Sequence, residues 1–183
     1  MSIEASIVNA GEFLMRIVIT GAESSGKSTL TEQLSQRLNL PFAPEYARVY
    51  LEQNGQDYDL DQLVHLSQLH RAYQQAQVGD APLAIFDTDL INYKVWAEVV
   101  FGHCPTMISD AMTEESSHRY LLCKPDIPWQ PDPLRHNPND REVLYQRHLS
   151  EIQQLNRRYE IVAGVGELRL VNALAAFERL LVD

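Results

Sequence analysis

Residues 16–30 read RIVITGAESSGKSTL, a short apolar run followed by a glycine-bounded loop and the beginning of a helical pattern. The loop fits the pattern G-x-x-x-x-G-K-[ST], with Gly21, Gly26, Lys27 and Ser28 at its defining positions. A strand before this pattern and a helix after it are the context in which it binds phosphate, so the stretch predicts a P-loop. A simple Gly/Ser turn before a surface lysine would leave the spacing of these four residues unexplained.

Each residue type in the loop meets a physical requirement of phosphate binding. Gly21 and Gly26 let the backbone turn and approach a polyphosphate closely, so that successive amide N–H groups point inward. The helix beginning near Lys27 adds free N–H groups and the positive end of its dipole. Lys27 is predicted to reach the β- and γ-phosphates of ATP, and the Ser28 hydroxyl to bind Mg²⁺. The predicted nucleotide-binding residues are Gly21, Ala22, Glu23, Ser24, Ser25, Gly26, Lys27, Ser28 and Thr29.

Length and composition predict one globular domain. The 183 residues are 45% hydrophobic and 22% charged, and we expect a leader at residues 1–12 and a single domain at residues 13–183. A net charge of −10 argues against non-specific binding to nucleic acid, because a phosphate backbone repels such a surface. Cys104 and Cys123 form no CxxC pair, and we see no signal peptide or membrane-spanning run. These features predict reduced thiols and a cytoplasmic protein without a membrane partner.

The order of apolar patterns predicts an α/β fold with a five-stranded parallel sheet, because strands and helices alternate along the chain. The predicted strands are residues 13–20, 40–44, 82–87, 120–123 and 161–165. The predicted helices begin at residue 27 and then cover residues 47–53, 61–78, 90–101, 113–118, 141–159 and 168–181. Five of the nine prolines fall between residues 125 and 140, too many for regular structure, and residues 125–141 are predicted to be a lid.

Three carboxylates are placed where catalytic groups gather in such a fold. Asp87 ends the apolar run PLAIFD, the position at which P-loop proteins hold Mg²⁺. Asp89 could face the same side and contact substrate, although capping of the next helix would also explain it. Glu45 follows the second strand at the same edge of the sheet, where a carboxylate could orient and deprotonate a substrate hydroxyl. Its alternative role is a first-turn acid that complements a helix dipole.

Tyr46 and Arg48 follow Glu45 and are further candidates for substrate binding. Arg135 lies within the proline-rich segment, and Arg141 begins the helix that follows it. Both are predicted catalytic residues, because arginines above the phosphates neutralise charge on a transferring phosphoryl group. Trp129 could stack on a flat ligand or anchor the loop. The six histidines have no metal-ligand spacing, and we interpret them as core or surface residues.

Four motifs together resemble the nicotinamide riboside kinase domain of NadR-type bacterial NAD-salvage proteins. They are GAESSGKST at residues 21–29, EYAR at 45–48, DTD at 87–89 and DIPW at 126–129, followed by Arg135. The resemblance covers residue 16 to the C-terminus. It implies a P-loop NTPase three-layer sandwich similar to nucleoside and nucleoside-monophosphate kinases. It also implies transfer of a phosphoryl group from ATP, with Mg²⁺, to the ribose 5′-hydroxyl of nicotinamide riboside.

The residues themselves leave other functions open. One is a kinase for another nucleoside or small alcohol, and another is a P-loop regulatory ATPase or switch without a small acceptor. A GTPase switch is disfavoured because no NKxD motif occurs, and a full AAA+ motor because little chain follows the last strand. A kinase should transfer phosphate to an added acceptor, whereas a switch should only hydrolyse its nucleotide.

Overall fold

Five parallel strands form the centre of the protein. The computed structural model describes residues 14–55, 57–134 and 139–182. The strands are β1 (Met15–Thr20), β2 (Phe42–Ala43), β3 (Leu83–Asp87), β4 (His118–Cys123) and β5 (Tyr159–Val162), in the spatial order β2-β3-β1-β4-β5. All four strand pairings are parallel, so the carboxyl ends of the strands meet at one edge of the sheet. The predicted parallel α/β fold is confirmed.

Seven helices connect and cover these strands within the described residues. They are α1 (Lys27–Leu38), α2 (Tyr46–Asn54), α3 (Leu60–Val78), α4 (Leu90–Phe101), α5 (Thr106–Glu114), α6 (Arg141–Gln154) and α7 (Glu167–Leu181). Helix α3 begins with a capping box between Asp59 and Gln62. This cap explains why the helix starts at Leu60, one residue before the predicted start at residue 61. None of the helices in the described part of the chain is long and apolar enough to cross a membrane.

The alternation of strand side chains separates two apolar cores, which makes the three layers of the sandwich. Ile17 and Ile19 of β1 face α1 and α7, where Leu34 and Phe177 are fully buried. Val18 faces the opposite layer, which contains α2 to α6. Because both faces of β1 and β3 are covered, their sequences are continuous apolar runs rather than alternating ones.

Two predicted helix boundaries are wrong. The helix expected at residues 113–118 lies earlier, at α5, because Pro105 occupies its N-cap and a proline without an N–H is tolerated at a helix start. Helix α6 ends at Gln154 rather than at residue 159. Asn156 then adopts a left-handed conformation (φ 53°), and the chain turns so that Tyr159 begins β5. The apolar spacing that suggested one long helix therefore spans a helix, a turn and a strand.

Candidate active site

The loop between β1 and α1 has the backbone geometry that its glycines predict. Gly21 has φ 132°, and a Cβ there would lie 2.6 Å from the carbonyl oxygen of Cys123, so a side chain cannot be accommodated. Gly26 is the N-cap of α1 with φ 78°, a left-handed conformation that favours glycine. Ser24 is also left-handed, with φ 52°. These turns leave the loop curled over the N-terminus of α1, which is the geometry of an anion-binding nest.

Lys27 lies across this loop. Its half-buried side chain reaches back, and Nζ donates a hydrogen bond to the carbonyl oxygen of Ala22 at 2.9 Å. The next residue, Ser28, is exposed, and its hydroxyl lies close enough to the Asp87 carboxyl group to lower the pKa of that group. The structure thus brings together the predicted phosphate-binding cation and both predicted metal ligands.

Asp87 is a buried carboxyl group that is only partly satisfied by protein contacts. The residue is 2% exposed, and Oδ1 has no hydrogen-bond partner among the described residues. Burial raises the pKa of Asp87 to about 7, and the nearby Glu45 carboxylate contributes to the increase. The Ser28 hydroxyl and the Lys27 ammonium act in the opposite direction. A divalent cation would stabilise the charged carboxylate in the same way, so the unpaired Oδ1 and the Ser28 hydroxyl fit a Mg²⁺ site.

The residue after Asp87 holds the strand end in a strained conformation. Thr88 is β-branched and has φ 68°, which is rare for such a residue and costs of order 1–3 kcal/mol. Two hydrogen bonds fix it: its N–H donates to the carbonyl of Ile19 at 3.0 Å, and its own carbonyl accepts from Nε2 of Gln74 at 3.0 Å. This turn directs Asp87 toward the P-loop and sends the chain back into α4.

Glu45 lies at the same edge of the sheet. Ala43 pairs with Phe86, so the residues that follow these two strands emerge side by side. Glu45 is the N-cap of α2, yet its carboxylate makes no capping hydrogen bond in the described residues. The residue is half-buried, and its carboxylate is close enough to Asp87 to raise the pKa of that carboxyl group, so Glu45 lies in the site.

Asp89 is placed differently from the other acids. Its carboxylate is fully buried, and Oδ1 accepts the N–H of Ile91 as the cap of α4. Oδ2 accepts the Tyr120 hydroxyl at 2.7 Å and lies 3.0 Å from Nδ1 of His118. These contacts favour the capping role over the predicted contact with substrate, which stays a prediction.

A second group of possible metal ligands surrounds Asp89. Ligand atoms of Asp89, Glu115 and His118 lie within 4.8 Å of one another. Glu115 is also 3.4 Å from Nε of Arg71, and burial raises its pKa well above the ordinary value. Hydrogen bonds and this ion pair account for the cluster, and we interpret it as a structural network that fixes the start of α4.

The two other candidate residues of the EYAR stretch, Tyr46 and Arg48, lie on the first turn of α2. The ring of Tyr46 packs between Tyr50 and Tyr73, with centroid distances of 6.4 and 4.9 Å. Arg48 pairs with Asp132 of the predicted lid at 2.9 Å, with both side chains partly exposed. The structure therefore gives Arg48 a contact with the lid, and its predicted contact with substrate is untested.

The first part of the predicted lid lies against the P-loop. The N–H of Gln130 donates to Oγ of Ser24 at 2.9 Å. Nη1 of Arg141 donates to the carbonyls of Ile127 at 2.9 Å and Ser24 at 3.2 Å, and its guanidinium lies 5.9 Å from the ring centre of Trp129. Arg141 is thus beside the phosphate-binding loop. The other predicted catalytic arginine, Arg135, lies outside the described residues, as does the predicted leader.

Arg169 is a buried residue beside the P-loop that the sequence analysis did not single out. Nη2 donates to the carbonyl oxygens of Ser25 at 2.7 Å and Lys124 at 3.0 Å. Nη1 donates to the Asp126 carboxylate at 2.7 Å and to the carbonyl of Gly164 at 2.8 Å. One buried guanidinium therefore ties the P-loop to the ends of β4 and β5. The signal was present, because a charged residue occupies the buried stripe of α7, ahead of Ala173, Ala176, Phe177 and Leu180.

The sheet order, the loop and the buried carboxyl beside it define a P-loop nucleotide-binding domain. Residues 16–169 match the family model described as "AAA domain", and the chain belongs to this family. The chain is homologous to the trifunctional NAD biosynthesis/regulator protein NadR of Salmonella typhimurium, with 28% identity over 132 residues. This match covers 67% of the present chain but 31% of the relative, so the chain spans about a third of the length of that protein.

Solved structures confirm the fold of P-loop kinases. A NadR protein in complex with NR superposes with a TM-score of 0.78 at 21% identity, over 94% of this chain and 53% of that one. Thymidylate kinase from Ehrlichia chaffeensis superposes with a TM-score of 0.58 at 14% identity, over 91% of this chain and 98% of that one. At these identities the superpositions establish the fold alone.

Proposed function

We propose that this protein is an ATP-dependent kinase that phosphorylates the ribose 5′-hydroxyl of nicotinamide riboside and forms nicotinamide mononucleotide. The observation that carries the proposal is the arrangement of Lys27, Asp87 and Glu45 around one edge of the sheet. The P-loop cation and the buried carboxyl suit a nucleotide, and Glu45 adds a carboxylate for an acceptor. The homology to NadR, and the NR bound by the solved NadR structure, support this acceptor.

The residues of the site suggest a division of labour. The P-loop amides and Lys27 would bind the phosphates of ATP, while Ser28 and Asp87 would hold Mg²⁺. When bound, the cation supplies positive charge that neutralises the β- and γ-phosphate oxygens. Glu45 would orient the acceptor hydroxyl and accept its proton, because it is more exposed to solvent than Asp87. Arg169 keeps the P-loop in position through its bond to Ser25.

We place this reaction in the cytoplasm with a small-molecule substrate and without nucleic acid. Cys104 and Cys123 are free thiols, which suits a reducing compartment. The net charge of −10 disfavours binding to a polyphosphate backbone, whereas a small anion such as ATP needs only the local cations of the loop.

The acceptor is tested by incubating the protein with ATP, Mg²⁺ and single candidates, followed by mass spectrometry. We expect one phosphoryl group to be added to nicotinamide riboside and none to its 5′-deoxy analogue, which lacks the accepting hydroxyl. Adenosine, uridine, thymidine and shikimate serve as competitors, and a reaction with EDTA tests the metal requirement. Phosphorylation of another compound but not of nicotinamide riboside would replace the acceptor. ADP release without any phosphorylated product would indicate a regulatory ATPase instead.

A second prediction is that the lid closes over bound ATP, which hydrogen exchange can test. We expect an ATP analogue to slow exchange in peptides covering residues 125–134, because the segment already contacts Ser24 and would close over the phosphates. Peptides from β1 should not change. Replacing Asp132 by Asn removes its ion pair with Arg48 and should speed exchange in the free protein by up to about fivefold, since such exposed pairs contribute up to about 1 kcal/mol. Equal protection with and without the analogue would contradict a lid.

A further inference from the structure

Tyr93 carries a hydroxyl group to which no described residue of the protein is hydrogen-bonded. The residue lies in the first turn of α4 and is fully buried, and its hydroxyl has no hydrogen-bond partner among the described residues. A buried donor without a partner is costly, and such groups are rare enough in native proteins to require an explanation. Phenylalanine would fill the same space without this cost, so the hydroxyl points to a ligand.

The aromatic ring of Tyr93 is fixed by its neighbours. It lies 5.1 Å from the His70 ring and stacks on Trp96 at 5.9 Å between centroids. Trp96 is held in turn, because its indole Nε1 donates to the hydroxyl of Tyr58 at 2.7 Å. A ring packed in this way cannot swing its hydroxyl to a new partner elsewhere in the protein.

Tyr93 lies near the candidate acceptor site, because β2, which Glu45 follows, pairs with β3, which α4 follows. The strand β3 ends at Asp87, the strained Thr88 follows, and Tyr93 lies in the first turn of the helix that begins at Leu90. This turn is at the carboxyl edge of the sheet. Burial raises the pKa of Tyr93 well above its usual value, and the Glu45 carboxylate and the Tyr46 phenol add to the increase. The group is therefore a protonated hydrogen-bond donor at neutral pH, close enough to Glu45 for their charges to interact.

Tyr120 provides the contrast within the same chain. It is also buried, in the strand β4, but its hydroxyl donates to Oδ2 of Asp89 at 2.7 Å. The protein thus supplies an acceptor for a buried tyrosine whose role is structural. Within the part of the chain that the structure describes, Tyr93 has no such acceptor, although both side chains lie in the same apolar core.

We propose that the Tyr93 hydroxyl is a specificity-determining group that donates a hydrogen bond to a ribose hydroxyl of the acceptor held by Glu45. This inference rests on the proposed function and names the part of the substrate that the site recognises. It predicts a preference for ribosides over analogues that lack the contacted hydroxyl, because such analogues leave the buried donor unpaired.

The test is the isosteric change Tyr93→Phe, measured by steady-state kinetics and by calorimetric binding of nicotinamide riboside. We expect the KM and Kd for the riboside to rise about tenfold, which is the loss of one hydrogen bond, while the KM for ATP stays within twofold. The melting temperature should be unchanged or higher, because the variant removes an unpaired buried polar group. The 2′-deoxy and 3′-deoxy ribosides identify the contacted hydroxyl. The analogue that lacks it should have the same Kd for the parent protein and for Tyr93→Phe.

The matched control is Tyr120→Phe, which deletes a hydroxyl that has a protein partner. We expect its melting temperature to fall by about 2–8 °C, because a buried carboxylate oxygen loses a donor. A Tyr93→Phe protein that also loses stability, or that keeps the parent KM and Kd for the riboside, would overturn the inference.

Failure of this inference can be distinguished from failure of the proposed function. If the unaltered protein phosphorylates a different nucleoside, the proposed acceptor is wrong and the same comparison is made with that nucleoside. If the unaltered protein phosphorylates no acceptor, both the function and the role of Tyr93 are overturned. If it phosphorylates nicotinamide riboside and Tyr93→Phe does so with the parent KM, only the role of Tyr93 is lost.

Discussion

Replacing Lys27 by alanine is expected to lower the rate of phosphoryl transfer by on the order of 10²-fold or more. Its ammonium group donates a hydrogen bond to the Ala22 carbonyl of the P-loop and interacts electrostatically with Asp87. Removing it therefore takes away a preorganised charge for the phosphates. The fold should survive, because a half-buried side chain with one hydrogen bond contributes little to the core. The measurements are product formation from nicotinamide riboside and thermal unfolding of the purified variant.

Lys94→Ala is the matched control for the lost charge. Lys94 is on α4 and pairs with Glu98 and Glu151, away from the P-loop. We expect this variant to keep its turnover within threefold of the parent rate while losing some thermal stability. Parent turnover by a folded Lys27→Ala protein would disprove the assignment of the P-loop lysine. Unfolding of that protein would make Lys27→Met, which keeps the aliphatic stem, the deciding variant.

Asp87→Asn and Glu45→Gln are expected to fail in different ways, although the two carboxyl groups lie close together. Asp87 is buried and contacts Ser28, so its loss should weaken the metal site. Both acceptor phosphorylation and background ATP hydrolysis should then fall by on the order of 10²-fold, because both need charge on the β- and γ-phosphates to be neutralised. Glu45→Gln should lower acceptor phosphorylation by about 10²- to 10⁴-fold and change hydrolysis by less than about threefold.

The assay for this pair measures phosphorylated riboside and ADP release, each with and without acceptor. Glu52→Gln is a useful control, because Glu52 lies two turns further along α2 and pairs with Arg48 at the surface. Identical profiles for the two site variants would show that the metal and acceptor roles are not divided in this way. If Asp87→Asn abolishes transfer but spares hydrolysis, Asp87 rather than Glu45 is the general base, a role that its pKa of about 7 would suit.

Where the sequence analysis succeeded, the decisive signals were local. The helix of residues 90–101 was predicted with its observed boundaries, because Asp89 caps one end and the left-handed Gly102 closes the other. The P-loop was equally local, since Gly21 and Gly26 adopt the positive φ angles that their spacing implies. The errors arose where a local pattern was ambiguous. The stripe from His148 to Tyr159 fits one helix, but pairing of Tyr159 with Tyr120 makes it the start of β5.

The sequence by itself determined the phosphate-binding loop, the alternation of strands and helices, and the two acids at strand ends. A parallel sheet brings the carboxyl ends of its strands to one edge, so Glu45 and Asp87 could be placed together without a structure. Only the tertiary structure decided the partners of each side chain. It joined Asp89 to Tyr120, Arg48 to Asp132 and Arg169 to the P-loop, and it left Tyr93 without one in the described chain. Such pairings depend on distances between residues far apart in sequence, which periodicity and composition do not encode.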